Sequence, residues 1–180
     1  RVSRGLGMDD TQGLSAWISF LAGLHDIGKA SPGFQAKHVP GWTRVTAAGF
    51  SAPLEPRDLG HGTVSAIAIQ ELLLMDEFGS LPRRVLARFI AGAVGGHHGV
   101  FPSASEVMTA NVEAVRGGPD WAAARREIAL MLAQQTGVHA YPGPQSIDAT
   151  TATILAGLIS VADWIGSDER FFAYSASNGG

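Results

Sequence analysis

His25-Asp26 is the first pair in this chain whose residue types could do chemistry. It lies in Gly23-Leu24-His25-Asp26-Ile27-Gly28-Lys29-Ala30, which nearly matches the phosphate-binding pattern G-x-x-x-x-G-K-[ST]. Two features count against a phosphate loop. Ala30 has no hydroxyl for magnesium, and the preceding segment reads as helix where such a loop follows a strand. A metal-binding pair fits better. Adjacent residues on a helix point about 100° apart, so both grip metal only where the helix ends and the backbone turns, and Gly28 is expected to supply that turn. A carboxylate beside an imidazole can bridge two cations, one per oxygen. Further candidates recur at predicted helix ends. His61 opens a helix after a loop, and His97-His98 follow Gly95-Gly96. Asp163 ends an apolar helix containing Leu155, Leu158, Ile159 and Ala162, where an unpartnered carboxylate costs on the order of several kcal/mol. Such positions can converge on one cleft of a helical bundle, the usual place for bundle metal sites.

The elements that must position these residues are helical nearly throughout. Leu14, Trp17, Ile18 and Leu21 share one face of a helix that runs to about His25. Ser31-Pro32 is an N-cap with proline at the first helical position. Residues 38–60, rich in glycine and proline, read as a long loop. Helix returns from His61 to Phe78 with Val64, Ile67, Ala68, Glu71 and Met75. Another helix starts at Ser80 and Pro82, turns Val85, Leu86, Phe89 and Ala93 inward, and ends at Gly95-Gly96. Ser103 and Glu106 have capping-box spacing. Pro119-Asp120 opens a helix that Gly137 closes, and Asp148 caps the last long helix, which stops at Gly166. No hairpin or alternating strand run appears, so the fold class is all-α.

Composition narrows the chemistry. The 180 residues suit a single domain spanning 1–180; 46 % are hydrophobic, which excludes disorder. No cysteine is present, so any metal is held by histidine and carboxylate. The net charge of −3 argues against a generally cationic nucleic-acid coat but leaves room for a local basic path. The longest apolar stretch, Ile154 to Val161, is broken by Gly157 and Ser160. It falls short of the roughly 18 residues of a membrane helix and reads as core, so no membrane partner is expected. The chain opens at Arg1 without a basic-then-apolar leader and reads as a piece of something longer.

The series His25-Asp26-x-Gly28-Lys29, His61, His97-His98 and Asp163 resembles the HD superfamily of metal-dependent phosphohydrolases. Gly95-Gly96-His97-His98-Gly99 and Ser160-Val161-Ala162-Asp163-Trp164 resemble, more narrowly, the HD nuclease domain of the CRISPR-associated helicase-nuclease of type I systems. The resemblance covers residues 14 to 172, nearly the whole chain. It implies an HD-domain helical bundle with Asp26 bridging two metals. His61, His97 and His98 would hold one ion. His25 and Asp163 would hold the other, with a further histidine that the family places upstream. No histidine precedes His25 here, so the second ion is expected to be loose or absent. Two cations about 3.5–4 Å apart orient the attacking oxygen and neutralise the phosphate under in-line displacement. The imidazole count favours Mn, Fe, Co, Ni or Zn over Mg or Ca. The resemblance further implies single-stranded DNA as substrate, a helicase domain or subunit and an RNA-guided surveillance complex as partners, and a cytoplasmic setting. A nucleotide phosphohydrolase of the same superfamily and a non-catalytic docking module are the alternatives.

Around this set, Lys29 reads either as a phosphate contact or as a solvated lysine. Ser160 shares the helix face of Asp163 and either hydrogen-bonds toward the site or packs in the core. His38 lies in the loop near Lys37, where it could meet substrate, and His139 reads as surface. Trp42 is expected to pin its loop rather than stack on a base. The basic residues Arg83, Arg84, Arg88, Arg125 and Arg126 read by default as wet helix faces. The low charge content (16 %) suggests a surface that packs on a helicase domain.

Overall fold

Apolar residues at three- and four-residue spacing make helix the local solution along most of this chain. The computed structural model describes residues 11–78, 84–138 and 146–172. Every regular element among them is helical. Helix α1 (Thr11–Gly23) leads through a tight turn into a 3₁₀ turn, Ile27–Lys29. Two short helices follow, α2 (Pro32–Gln35) and α3 (Val39–Ala47). Then come α4 (His61–Leu72), a 3₁₀ turn at Asp76–Phe78, and α5 (Arg84–Gly95). The chain continues through α6 (Ala104–Ala110), α7 (Glu113–Arg116), α8 (Pro119–Thr136) and α9 (Ala149–Gly166).

Helix α4 is the hub. It packs on α5 and on the Ile27–Lys29 turn, while α9 closes over α5 and α1, and α8 lies along α1. Trp17, Phe20, Leu24, Ile69, Ile90 and Leu155 are among the fully buried side chains between these helices. Phe20 and Phe78 stack with centroids 5.7 Å apart. The crossing of α4 and α5 depends on small residues. A methyl group at Gly62 would stand 2.5 Å from the Gly95 carbonyl oxygen, and one at Gly95 would stand 2.5 Å from that of Gly62. The two backbones therefore touch, and His61 lies next to the segment that carries His97 and His98.

Several helix ends follow the sequence signals. Ser103 and Glu106 form a reciprocal capping box, Asp148 accepts from the Thr151 amide at 2.7 Å, and Gly137 ends α8 in the left-handed region. Ser31 stands at the N-cap of α2, but its hydroxyl donates to the Gly28 carbonyl instead of capping. The Ser80–Pro82 start, Arg83 and His139 lie outside the described residues.

Four expectations change. Residues 38–60 are not one loop, because α3 occupies Val39–Ala47. Its N-cap is His38, whose Nδ1 accepts from the Gly41 amide at 3.2 Å. Pro40 and Gly41 look like breakers but stand in the first turn, where proline is tolerated. Trp42 is half-buried on this helix. On α5, Val85 and Phe89 face outward (58 % and 43 % exposed), because Leu86, Ile90 and Ala93 form the inward stripe about 100° around the helix. Arg125 is not a wet-face cation. It is buried and donates to the carbonyls of Ala30 and Arg116 at 2.7 Å each. Burial, with the charge of Arg116, lowers its pKa to about 10. Arg126 pairs with Glu77, and Arg84 and Arg88 remain exposed.

The fourth concerns α9. Gly157 and Ser160 do not interrupt it, and Ser160 donates back to the Ala156 carbonyl within the helix. It is the one helix among the described residues long and apolar enough to cross a membrane by length and composition. Only one face is core, through Thr151, Ala152, Leu155, Ala156 and Ile159, whereas Leu158, Val161, Trp164 and Ile165 are exposed.

Candidate metal centre

The turn after α1 presents His25 and Asp26 because it is clamped to α4 by one buried hydroxyl. Ser65 Oγ accepts from the Gly28 amide at 2.9 Å and donates to the His25 carbonyl at 2.7 Å. Gly28 is needed for proximity rather than for a left-handed turn, since a methyl group there would stand 2.1 Å from the His61 carbonyl oxygen. Ser65 lies one helical turn after His61, so its hydroxyl reaches the same face. Nothing but that spacing marks it in the sequence. Ser65→Ala is expected to weaken metal affinity about 10-fold, as loss of a supporting hydrogen bond does around other metal sites, while the protein stays folded; isothermal titration with Mn²⁺ checks this.

Four histidines and two aspartates meet here. The Asp26 carboxylate splits between them. Oδ1 faces His61 Nε2 at 3.2 Å and His97 Nε2 at 3.9 Å, while Oδ2 faces His25 Nε2 at 3.3 Å and takes a bond from Lys29 Nζ at 2.5 Å. Asp163 Oδ1 lies 3.3 Å from His25 Nε2 and accepts from Ser167 Oγ at 3.1 Å. His98 Nε2 and His61 Nε2 are 3.0 Å apart. Ser160 donates to the carbonyl of His97, tying α9 to the chain just after α5. His38 caps α3 and is not among these side chains.

The ring nitrogens are prepared for a cation. His25 Nδ1 donates to the Ala22 carbonyl at 2.6 Å, and His97 Nδ1 donates to that of Val94 at 2.8 Å. In each neutral ring the lone pair is thereby left on Nε2, the outer arrangement of metal-binding histidines. His97 is 2 % exposed, and its Nε2 is buried without a hydrogen-bond partner. Such a lone pair is costly unless something accepts it. Burial, together with the nearby His98 and His25, pushes the His97 pKa down and keeps the ring neutral. Burial also opposes a charge on His25, but its bonds to Asp26 and Ala22 and the two carboxylates raise its pKa. For Asp26, burial is outweighed by bonds from His25, His61 and Lys29, which hold the carboxyl far below the usual range. Two three-ligand groups have their atoms within 4.8 Å of one another: His61, His97 and His98, and His25, His97 and Asp163. The orphaned nitrogen, an anionic carboxylate and imidazoles aimed inward fit a divalent transition metal.

A helical bundle with a His-Asp turn facing a histidine cluster defines an HD-type domain. The family model described as "Cas3, HD domain" matches residues 1–172, and the chain belongs to that family. It is 35 % identical over 165 residues to the CRISPR-associated endonuclease/helicase Cas3 of Thermus thermophilus, covering 91 % of this chain and 18 % of that protein. It is 27 % identical over 173 residues to the Escherichia coli protein of the same description, covering 87 % of this chain and 20 % of that one. The chain thus spans about a fifth of the length of these curated relatives. Among solved structures, a CRISPR-associated protein superposes with a TM-score of 0.85 at 39 % identity, over 97 % of this chain and 19 % of that one. The Thermus thermophilus Cas3 HD domain solved in the presence of Ni²⁺ superposes with a TM-score of 0.67 at 30 % identity, over 96 % and 62 %.

Proposed function

We propose that this chain is a metal-dependent nuclease domain that hydrolyses phosphodiester bonds of single-stranded DNA in CRISPR interference. The observation that carries the reading is the division of Asp26 between two halves of the histidine cluster, beside the orphaned nitrogen of His97. His61, His97 and His98 would hold one ion, His25 and Asp163 would contribute to a second, and Asp26 would serve both. Two bound cations supply charge neutralisation and orientation of the attacking oxygen. The chain's own residues then fix the substrate. Lys29 offers its ammonium to a phosphate oxygen next to Asp26, and Ser65, Ser160 and Ser167 hold the turn, the His97 carbonyl and Asp163 in place.

Both ligand groups draw on the single free nitrogen of His97, which binds one ion at a time. This supports one tight and one weak ion. The presence of Ni²⁺ with the Thermus thermophilus HD domain and the imidazole-rich shell here support a transition metal of the Mn, Fe, Co, Ni or Zn group. The helicase in the relatives' names supports a helicase domain as partner, and an RNA-guided surveillance complex is the second partner of this reading. The exposed apolar face of α9 is consistent with packing on such a domain.

Circular single-stranded DNA separates this reading from a nucleotide phosphohydrolase, which cannot nick a circle. With Mn²⁺ or Ni²⁺ the chain is expected to linearise and degrade the circle. Asp26→Ala should reduce the rate at least about 10³-fold. An intact circle alongside hydrolysis of mononucleotides would assign the site to nucleotides instead. Mn²⁺ binding no tighter in the wild type than in Asp26→Ala would reduce the chain to a docking module.

A further inference from the structure

The sequence contains two lysines, Lys29 and Lys37. Both lie over the ring of Phe34, with Nζ 5.7 Å and 4.8 Å from its centroid. The same ring stands edge-on to His61, centroids 5.6 Å apart and planes at 79°. An aromatic face flanked by the chain's only two primary side-chain amines therefore adjoins the metal cluster. Packing against His61 accounts for the ring, and the carboxylates that pair with the two amines hold them beside it. The segment is also held in place. Ser31 Oγ donates to the Gly28 carbonyl at 2.7 Å and Gln35 Nε2 to that of Lys29 at 2.9 Å. A methyl group at Gly33 would stand 2.1 Å from the Arg57 carbonyl oxygen. Each amine is paired with a carboxylate, Lys29 with Asp26 and Lys37 with Asp58.

We propose that Phe34 and Lys37 form a single-stranded DNA subsite beside the metal cluster, in which Lys29 takes the phosphate at the ions, Lys37 takes a neighbouring phosphate, and Phe34 receives the intervening sugar or base. The proposal rests on the nuclease reading above and adds the contacts that hold the flanking strand. Aromatic faces with adjacent cations bind single strands without sequence preference, because every base has a π-face and every linkage a charge. The two ammonium groups lie within about 11 Å of each other through their shared ring, close enough to meet neighbouring phosphates of one strand. Asp58 is then a built-in competitor. It occupies Lys37 from the segment that leads into α4, and its Oδ1 accepts from the Gly60 amide at 3.1 Å.

The test uses the 180-residue chain, a fluorescent oligothymidylate and anisotropy measured in EDTA, where cleavage is off. Lys37→Gln is expected to weaken binding about 10-fold and to lower the salt slope by about 0.7, the contribution of one phosphate contact on a single strand. Lys37→Arg should retain both affinity and slope. Asp58→Asn should tighten binding about three-fold, and Phe34→Leu should weaken it about five-fold or more with an unchanged slope. Mn²⁺ titration of the Lys37 and Asp58 variants should match wild type. Lys37→Gln and Asp58→Asn that both bind like wild type, with the same slope, would overturn the subsite and leave the nuclease reading intact. A wild-type chain that loads Mn²⁺ but does not bind the oligonucleotide, in EDTA or with Mn²⁺ present, would overturn the subsite and the DNA substrate together.

Discussion

His97→Ala is expected to lower Mn²⁺ affinity more than about 100-fold and to abolish both metal-binding events in a titration. Loss of a group that merely supports a ligand costs 10- to 100-fold, and loss of the ligand exceeds that. The effect is larger than for the neighbouring histidines because His97 belongs to both three-ligand groups. His61→Ala or His98→Ala should remove the tight ion only, leaving His25, His97 and Asp163 for the weak one. The same contrast should appear in thermal melts. At metal concentrations about 100 times Kd, binding stabilises the folded state by roughly 2.7 kcal/mol. For a chain of this size that raises Tm by about 5–10 °C. The rise should vanish in His97→Ala and persist only at high metal in His98→Ala. A His97→Ala protein that keeps the full metal-induced rise would remove this residue from the centre.

Gly28→Ala is expected to destabilise the metal-free protein by about 3 kcal/mol or more and to lose tight metal binding at the same time. The added methyl group meets the His61 carbonyl oxygen at 2.1 Å and the Ser65 amide nitrogen at 2.5 Å, both backbone atoms of α4. Neither can rotate away, so the His25-Asp26 turn must lift off the helix, breaking the Ser65 bonds. Overpacking typically costs about 1–3 kcal/mol, and the loss of two buried hydrogen bonds adds to it. The expected fall in Tm is roughly 6–12 °C. Gly157→Ala is the matched control, since a methyl group there meets open space on an exposed position of α9. It should stabilise by about 0.5–1 kcal/mol through helix propensity. Equal melting of the two variants would mean that the turn is not wedged against α4.

The candidate site is legible in the sequence because its candidate ligands are rare residue types at helix ends. His25, His61, His97, His98 and Asp163 were singled out by that position, and the structure gathers them around Asp26. What holds them was not legible. Ser65 and Ser167 are ordinary serines whose contacts depend on which helices cross. Gly28 does lie in the turn expected of it, but its close approach to α4 is a tertiary fact that local sequence does not carry. Arg125 shows the limit of charge as a guide to exposure, because two carbonyls from distant segments converge on its guanidinium. Helix α3 is hidden by Pro40 and Gly41, which look like breakers but fall in its first turn behind the His38 cap. The apolar pattern of α9 identified a helix but could not say that only one of its apolar faces meets the core.

His25 and His97 are each tethered by Nδ1 to a carbonyl three residues earlier in their own chain segment. The consequence is entropic. Ordering a side chain at a binding site costs about 0.5–1.5 kcal/mol, and for these two rings it is met when the domain folds. Two imidazoles that would hold a metal therefore need neither rotate nor change tautomer to do so. The ordering cost of these two rings is thus absent from the binding step, while Lys29 must still give up the Asp26 oxygen that it holds.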